Sequence, residues 1–273
     1  MSKIIIREEK KEDYKATELM TMRAFWNEHF PGCNEHYLVH VLRESEDYLP
    51  KLSRVAELDG KIVGTIFYTK AWIVNDNQKH EIVTFGPLCV EPTAQGLGVG
   101  GKLLHETFKL VKEAGYPGIC IFGEPEYYPK HGFKTCDHFG ITDEEGNNFD
   151  AFMGYEVVES GFKNITGKFM ESKVFKKCDD EKAIAEYEKQ FPKYVKLKIP
   201  SQWLHKQKIG KVIAVDEERY IIQYWEIQLP ARLKKDFDGS KPQKGDIVTF
   251  DPNFNGDSLI RMVEIPGGMG RYV

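Results

Sequence analysis

The sequence predicts an α/β (α+β) fold: a mixed sheet flanked by helices, followed by a small C-terminal β-barrel. Three observations predict it. Strand and helix patterns alternate over residues 1–158 in the order β-α-α-β-β-β-α-β-α-β. Within that run the strand patterns Ser53–Leu58 and Lys61–Val74 are separated only by Asp59-Gly60, a two-residue hairpin signal. After about residue 202 helical periodicity ends, and short strand patterns divided by turn clusters take over.

Each element has its own signal. Lys3–Arg7 is a short opening strand. Asp13–Trp26 carries Ala16, Leu19, Met20 and Ala24 at helical spacing. Asn34 is placed to cap a second helix bearing His36, Leu38, Val39 and Leu42. Lys61–Val74 is apolar on both faces in its middle, and Asn75–Gln78 turns the chain into His80–Val90. A glycine-rich segment follows. From it a helix runs to about Ala114, with Leu103, Leu104, Phe108 and Val111 as its stripe and Gly115 as its stop. Gly118–Phe122 is a short strand, Tyr127–His131 a helical turn, and Phe152–Val157 the closing strand.

Beyond Glu159 the texture changes. Lys163–Lys177 has no clear period, Asp179–Gln190 is a charged, solvent-facing helix, and Pro192 and Pro200 punctuate its exit. Lys211–Val215, Arg219–Ile227, Asp246–Phe250 and Ser258–Ile265 then read as strands. The expected division is therefore 1–158 for the mixed domain, 159–202 for an extension, and 203–273 for the barrel.

Composition narrows the function. The chain has 273 residues, with 38 Lys plus Arg against 42 Asp plus Glu, a net charge of −4. That excludes a strongly basic, phosphate-grasping protein. A hydrophobic fraction of 41% is enough for a sizeable core and disfavours disorder. Ile4-Ile5-Ile6 is too short for a signal peptide or a membrane span. Five scattered cysteines without a C-x-x-C spacing point to reduced thiols in a cytoplasm.

Gly96-Leu97-Gly98-Val99-Gly100-Gly101 lies between a strand and a helix. Glycines there let the backbone approach a ligand, and the first helical N–H groups point at an anion. The plain alternative is a helix start with tight strand packing. Gly96-x-Gly98-x-x-Gly101 matches a dinucleotide fingerprint in form. However, Glu91–Gln95 separate it from its strand, and Glu124 lacks the βαβ order that a ribose-binding acid needs. Gly96-x-x-x-x-Gly101-Lys102 begins a P-loop, yet the next residue, Leu103, has no hydroxyl for Mg²⁺.

Gln95-x-x-Gly98-x-Gly100 instead resembles the pyrophosphate signature of the GNAT superfamily of acyl-CoA-dependent N-acyltransferases. Pro92 and Gln95-Gly96 resemble that family's usual run into the loop. A second segment, Tyr127-Tyr128-Pro129-Lys130-His131-Gly132-Phe133, resembles its Tyr-x-x-x-Gly-Phe element, with Tyr128 28 residues after Gly100. The resemblance covers about 1–158, extends in one subgroup to about 202, and leaves out the last seventy residues. The sequence departs from members that carry an Asn after the fifth strand; Glu124-Pro125 stands there.

The resemblance implies transfer of an acetyl group from acetyl-CoA to a primary amine, on a small molecule or a protein, by direct attack in a ternary complex. It implies that backbone groups of Leu88, Cys89 and Val90 bind the pantetheine arm and polarise the thioester. Backbone N–H groups of Gln95, Gly96, Leu97, Gly98, Val99, Gly100 and Gly101 would hold the pyrophosphate, with Lys102 reaching a CoA phosphate. Tyr128 would protonate the departing thiolate; a phenol pKa near ~10 suits that task. A core tyrosine is the alternative, and Tyr127 reads as packing.

Other candidates are weighed beside these. Glu28, Glu91 and Glu124 are candidate general bases without a motif to choose among them. His36 and His40 have metal-ligand spacing but no third ligand, so no metal is expected. His131 suits surface or adenine-side packing. Cys89 invites an acyl-cysteine mechanism, but a strand cysteine is usually a small buried hydrophobe. The resemblance implies that the region of Phe25, Trp26, Phe30 and Tyr37 lines the acceptor site; a core or lid role is the alternative.

In the barrel, Tyr220, Tyr224 and Trp225 offer bases a stacking surface. Eleven basic against ten acidic residues over 203–273 argue against nucleic acid. An interaction, homodimerisation or substrate-positioning role remains for this segment. The competing function is a non-catalytic acyl-CoA-binding scaffold or sensor whose barrel binds a partner.

Overall fold

A computed structural model describes residues 3–76, 78–198, 208–237, 239–254 and 256–264. The expected boundary at 202/203 and the expected strand end at Ile265 lie outside the described residues.

The chain opens with β1 (Ile5–Arg7), α1 (Tyr14–Phe25) and α2 (Glu35–Leu42). Three long strands follow: β2 (Arg54–Leu58), β3 (Lys61–Val74) and β4 (Lys79–Val90). Asp59 and Gly60 both have positive φ, the backbone hand that a tight hairpin between twisted strands requires. Then come α3 (Val99–Glu113), β5 (Gly118–Phe122), β6 (Lys134–Thr135), β7 (Ile141–Thr142), β8 (Phe152–Glu156), β9 (Gly167–Met170) and α4 (Glu181–Glu188). α3 forms because Leu103, Leu104, Thr107, Phe108 and Val111 recur on one face, and all are buried. α4 begins at Asp180, whose carboxylate accepts from the backbone N–H groups of Lys182 and Ala183.

The sheet runs β1-β2-β3-β4-β5-β8-β6, with β9 added to the end of β3 and β7 to β9. Pairing is antiparallel except at β4–β5 and β7–β9. Ala71, Ile73, Ile82, Cys120, Phe152, Phe162 and Phe169 make one apolar cluster of this unit. Leu38, Val39, Val41, Leu42, Phe67 and Val174 make another.

The last part of the chain folds as β10 (Lys208–Asp216), β11 (Arg219–Tyr224), β12 (Ile227–Leu233), β13 (Ile247–Asp251) and β14 (Ser258–Glu264). They close as a barrel in the order β10-β11-β12-β14-β13, with β12 and β14 parallel. Arg219–Ile227 is thus two strands, not one. Trp225 takes a left-handed φ of 51° and turns the chain where its bulk suggested strand. Tyr220 and Tyr224 are buried in the barrel core with Val212, Ile222, Val248 and Phe250, so their rings are not a free stacking surface.

Clustering of backbone contacts divides the chain into two units. The first comprises Met1–Thr21, Asn34–Glu91 and Leu97–Phe191; the second comprises Met22–Cys33, Pro92–Gly96 and the chain from Pro192 onward. No helix of the described residues is long and apolar enough to cross a membrane.

Candidate functional site

The site is built where β4 leaves its neighbour. Among the described residues β4 and β5 are in register at Val83–Ile119 alone, and from there the strands part. On its other side β4 stays paired to β3 through Ile66–Leu88, Thr65–Cys89 and Gly64–Val90. A register shift between Ile66 and Tyr68 leaves three β4 steps opposite two β3 steps, a bulge just before Leu88. Leu88, Cys89 and Val90 therefore form the end of a strand splayed from β5.

The Cys89 side chain does not face this opening as a nucleophile. It is buried, with Sγ 3.6 Å from Thr21 Oγ1 and 3.9 Å from Met20 Sδ. Burial pushes its thiol up to about 12, so it stays protonated.

The glycine segment starts α3 without help from side chains. Gly98 caps the helix at φ 76°, ψ 14°, a left-handed conformation natural to glycine, and no side chain caps the helix end. The first intrahelical bond runs from Lys102 N–H to the Gly98 carbonyl, 3.1 Å. The N–H groups of the preceding turn point out of the helix end, toward the position an anion would take. Val99 and Gly100 are buried, whereas Leu97, Gly98 and Lys102 are exposed. Gln95 and Gly96 belong to the segment that packs with the second unit; Gly96 also has positive φ, 79°.

Two close approaches hold this helix start. A Cβ on Gly64 would lie 2.8 Å from Val99 Cγ1, so β3 meets α3 at contact distance only because Gly64 has no side chain. A Cβ on Gly100 would lie 2.6 Å from the Tyr127 hydroxyl oxygen. The tyrosine segment therefore touches the glycine segment directly.

Tyr128 packs its ring against Phe85, Tyr127 and Phe133, with centroids 5.8, 5.1 and 5.4 Å away. The ring also lies against Gly123, where any Cβ would collide with Tyr128 Cε2. Its hydroxyl makes no hydrogen bond among the described residues. Burial, then Tyr127, Cys89 and Glu124, raise its pKa, so the phenol holds its proton through neutral pH. Tyr127 is also raised by burial. His131 meets the Tyr127 ring at a tilt and the His105 ring edge-on, and burial, then His105 and Lys130, lower its pKa. Its Nε2 is buried without a partner, beside Gly101.

The structure separates the remaining candidates. Glu124 lies close to Tyr128, whose N–H donates to the Glu124 carbonyl at 3.3 Å. Glu28 is paired with Lys208 at 2.9 Å inside the second unit. His36 and His40 pack on Tyr187 in an aromatic cluster, with ring centroids 6.1 and 4.3 Å from it. Trp26 is buried in the second unit, its Nε1 donating to the Val195 carbonyl. Among the described residues no three His, Cys, Asp or Glu side chains gather as a metal would need.

Sequence reasoning missed two residues of the first unit. Phe175 contacts the bulge at Gly86, 3.5 Å from where its Cβ would lie. Glu171 follows β9, and burial, then Glu144, lift its carboxyl from 4.5 to about 7. Neither carries a motif, and the segment that holds both, Lys163–Lys177, has no clear period.

The residues present fit a pyrophosphate-bearing acyl thioester. They provide a glycine cradle that a Cβ would fill, an uncapped helix start, and a strand end parted from its neighbour. Comparison with known proteins agrees. Residues 50–135 match the sequence profile of the acetyltransferase (GNAT) domain. YjhQ of Escherichia coli K12, described as an uncharacterized N-acetyltransferase, is 36% identical over 107 residues, 39% of this chain. The chain spans 59% of that relative's length. The GNAT family N-acetyltransferase YhbS of E. coli, solved in complex with CoA, superimposes with a TM-score of 0.58. Its identity is 22%, over 64% of this chain and 93% of that one. A GNAT family acetyltransferase of Brucella melitensis, solved with acetyl-CoA, gives a TM-score of 0.52 at 25% identity, over 63% of this chain and 98% of that one. Residues 50–135 thus match a GNAT acetyltransferase domain, the mixed sheet around them has a GNAT-like fold, and a closed five-stranded β-barrel follows in the sequence.

Proposed function

We propose that this protein transfers an acetyl group from acetyl-CoA to a primary amine, by direct attack within a ternary complex. The approach of Gly100 to Tyr127 carries the reading, because it joins the anion cradle and the tyrosine segment in one site. Backbone N–H groups around Gly98–Gly101, with Gln95, Gly96 and Leu97 before them, hold the pyrophosphate, and the helix dipole favours its charge. Lys102, exposed on the first turn of α3, reaches a CoA phosphate. The backbone at Leu88, Cys89 and Val90 aligns the pantetheine arm as an added strand and donates to the thioester oxygen.

The amine nitrogen bonds to the thioester carbon and the carbon–sulfur bond breaks. The amine gives up its proton to water or a nearby carboxylate; of the candidates, Glu124 is the one whose charge acts on Tyr128. The Tyr128 hydroxyl gives its proton to the departing sulfur and regains one from solvent. Its raised pKa keeps the proton on the phenol through neutral pH, although it makes the group a weaker acid than a free phenol, so the proton moves only as charge builds on the sulfur.

We assign catalysis to 1–158, an extension to 159–202, and a positioning or self-association role to the barrel at 203–273. None of the five cysteines is joined in a disulfide, which fits a reducing, cytoplasmic setting. Calorimetric titration with acetyl-CoA and with CoA tests the binding half. Saturable binding of both supports the reading, and no binding of either overturns it. Binding without thiol release from any amine would leave a scaffold or sensor.

A further inference from the structure

The barrel touches the glycine segment through Phe254. This residue stands in the turn between β13 and β14, within the second unit, which also holds Pro92–Gly96. A Cβ on Gly96 would lie 3.6 Å from Phe254 Cδ2, an ordinary contact distance, so the ring edge rests against the Gly96 backbone. Half-buried, the ring also packs on the barrel core. The turn that presents it is pinned from within. The Asn253 N–H donates to the hydroxyl of the fully buried Ser258 at 3.0 Å, and the Gly256 N–H donates to the Asn253 carbonyl at 3.4 Å.

Gly96 is the joint of the anion cradle that depends most on such support. Gly96 and Gly98 take left-handed φ, 79° and 76°, on either side of Leu97. The first intrahelical bond runs from Lys102 to Gly98, so no helix ladder directs the N–H groups of Gln95, Gly96 and Leu97. Pro92 and Ala94 are buried just before them and anchor the run into the turn. Gly96 itself has no side chain to hold it and a wide choice of backbone conformations. It stays exposed despite the ring, which leaves it open to a ligand. An aromatic edge against its backbone narrows that choice before an anion arrives, and preorganisation of this kind raises affinity by lowering the cost of ordering.

We propose that Phe254 is a positioning residue for the cosubstrate: the barrel holds Gly96 in the conformation that binds the pyrophosphate. The coupling is reciprocal, so bound CoA steadies the β13–β14 turn in return. This rests on the acetyl-CoA reading and gives the barrel its part in it.

Amide hydrogen exchange of the full wild-type chain, with and without saturating CoA, tests it. CoA is expected to slow exchange several-fold at Gln95–Gly101 and also in the turn around Phe254. Protection of the cradle with no change around Phe254 overturns this inference alone. A cradle that CoA leaves unprotected overturns the acetyl-CoA reading and this inference with it. This measurement needs no substitution, so it decides the matter even where a shortened side chain loosens the barrel. Phe254→Ala is expected to weaken CoA binding about tenfold by calorimetry, and Phe254→Leu, which keeps an apolar side chain there, to recover most of the loss. In Phe254→Ala the cradle should still respond to CoA and the β13–β14 turn should not. Wild-type affinity in Phe254→Ala, or a turn that still responds there, overturns the proposal.

Discussion

The hydroxyl of Tyr127 occupies the space a side chain on Gly100 would need, 2.6 Å from the position of its Cβ. Two segments 27 residues apart in sequence thus meet at one helix turn. Gly100→Ala must push Tyr127 aside or tilt the start of α3, and either movement disturbs the anion cradle. We expect acetyl-CoA affinity to fall by about tenfold or more, the loss of one or two well-placed N–H contacts to a charge. Tyr127→Phe removes the colliding oxygen, so the double variant should recover much of the loss. Calorimetry on the four proteins of the cycle checks this.

The proposed mechanism gives Tyr128 a proton to supply and no part in holding the cosubstrate. Tyr128→Phe should therefore lower kcat by about 10²-fold while leaving the acetyl-CoA dissociation constant within about twofold. Steady-state thiol release and a binding titration on the same preparation separate the two quantities. An unchanged kcat would remove Tyr128 from the proton-donor role.

Arg43 organises the helical side of the first unit. Its guanidinium donates to Glu9 at 2.7 and 2.9 Å and to Glu18 at 2.6 Å, with all three side chains no more than 6% exposed. It also lies over the Tyr14 ring at 4.0 Å. Arg43→Met keeps the stem but leaves two buried carboxylates without their cation. We expect a loss of about 3–5 kcal/mol, read from urea unfolding midpoints.

Glu171 sets a pH dependence with a definite sign. Its carboxyl is lifted from 4.5 to about 7 by burial and then by Glu144, so the folded protein holds a proton that the unfolded chain has released. This contribution to stability is fully present below about pH 4.5 and is lost as pH rises through about 7. Glu171→Gln does not titrate. Its stability relative to wild type should therefore rise between pH 5 and pH 8, by roughly 2–3 kcal/mol if the whole shift is expressed. Urea midpoints at the two pH values check it, and a constant difference would contradict it.

Some of this was legible in the sequence, and the reason is locality. The glycine segment and the tyrosine segment carry their motifs in consecutive residues, so the resemblance can be read without knowing what packs on them. The long strands and α3 show in their periodicity for the same reason. The Arg43 cluster draws charges from three separate elements, and no spacing rule joins Glu9, Glu18 and Arg43. Glu171 acquires its environment when a four-residue strand pairs with the far end of β3, about a hundred residues upstream. In the barrel, Trp225 forms a tight turn because the pairing of β11 with β12 demands it, against the strand preference of its side chain.

The central claim is catalysis of acetyl transfer. Its most direct measurement is free CoA thiol released from acetyl-CoA by the full chain, with and without a panel of primary amines, with the acetylated amine confirmed by mass. The account predicts amine-dependent thiol release matched one to one by acetylated amine. Thiol release that no amine stimulates, under conditions where acetyl-CoA binds, would contradict it.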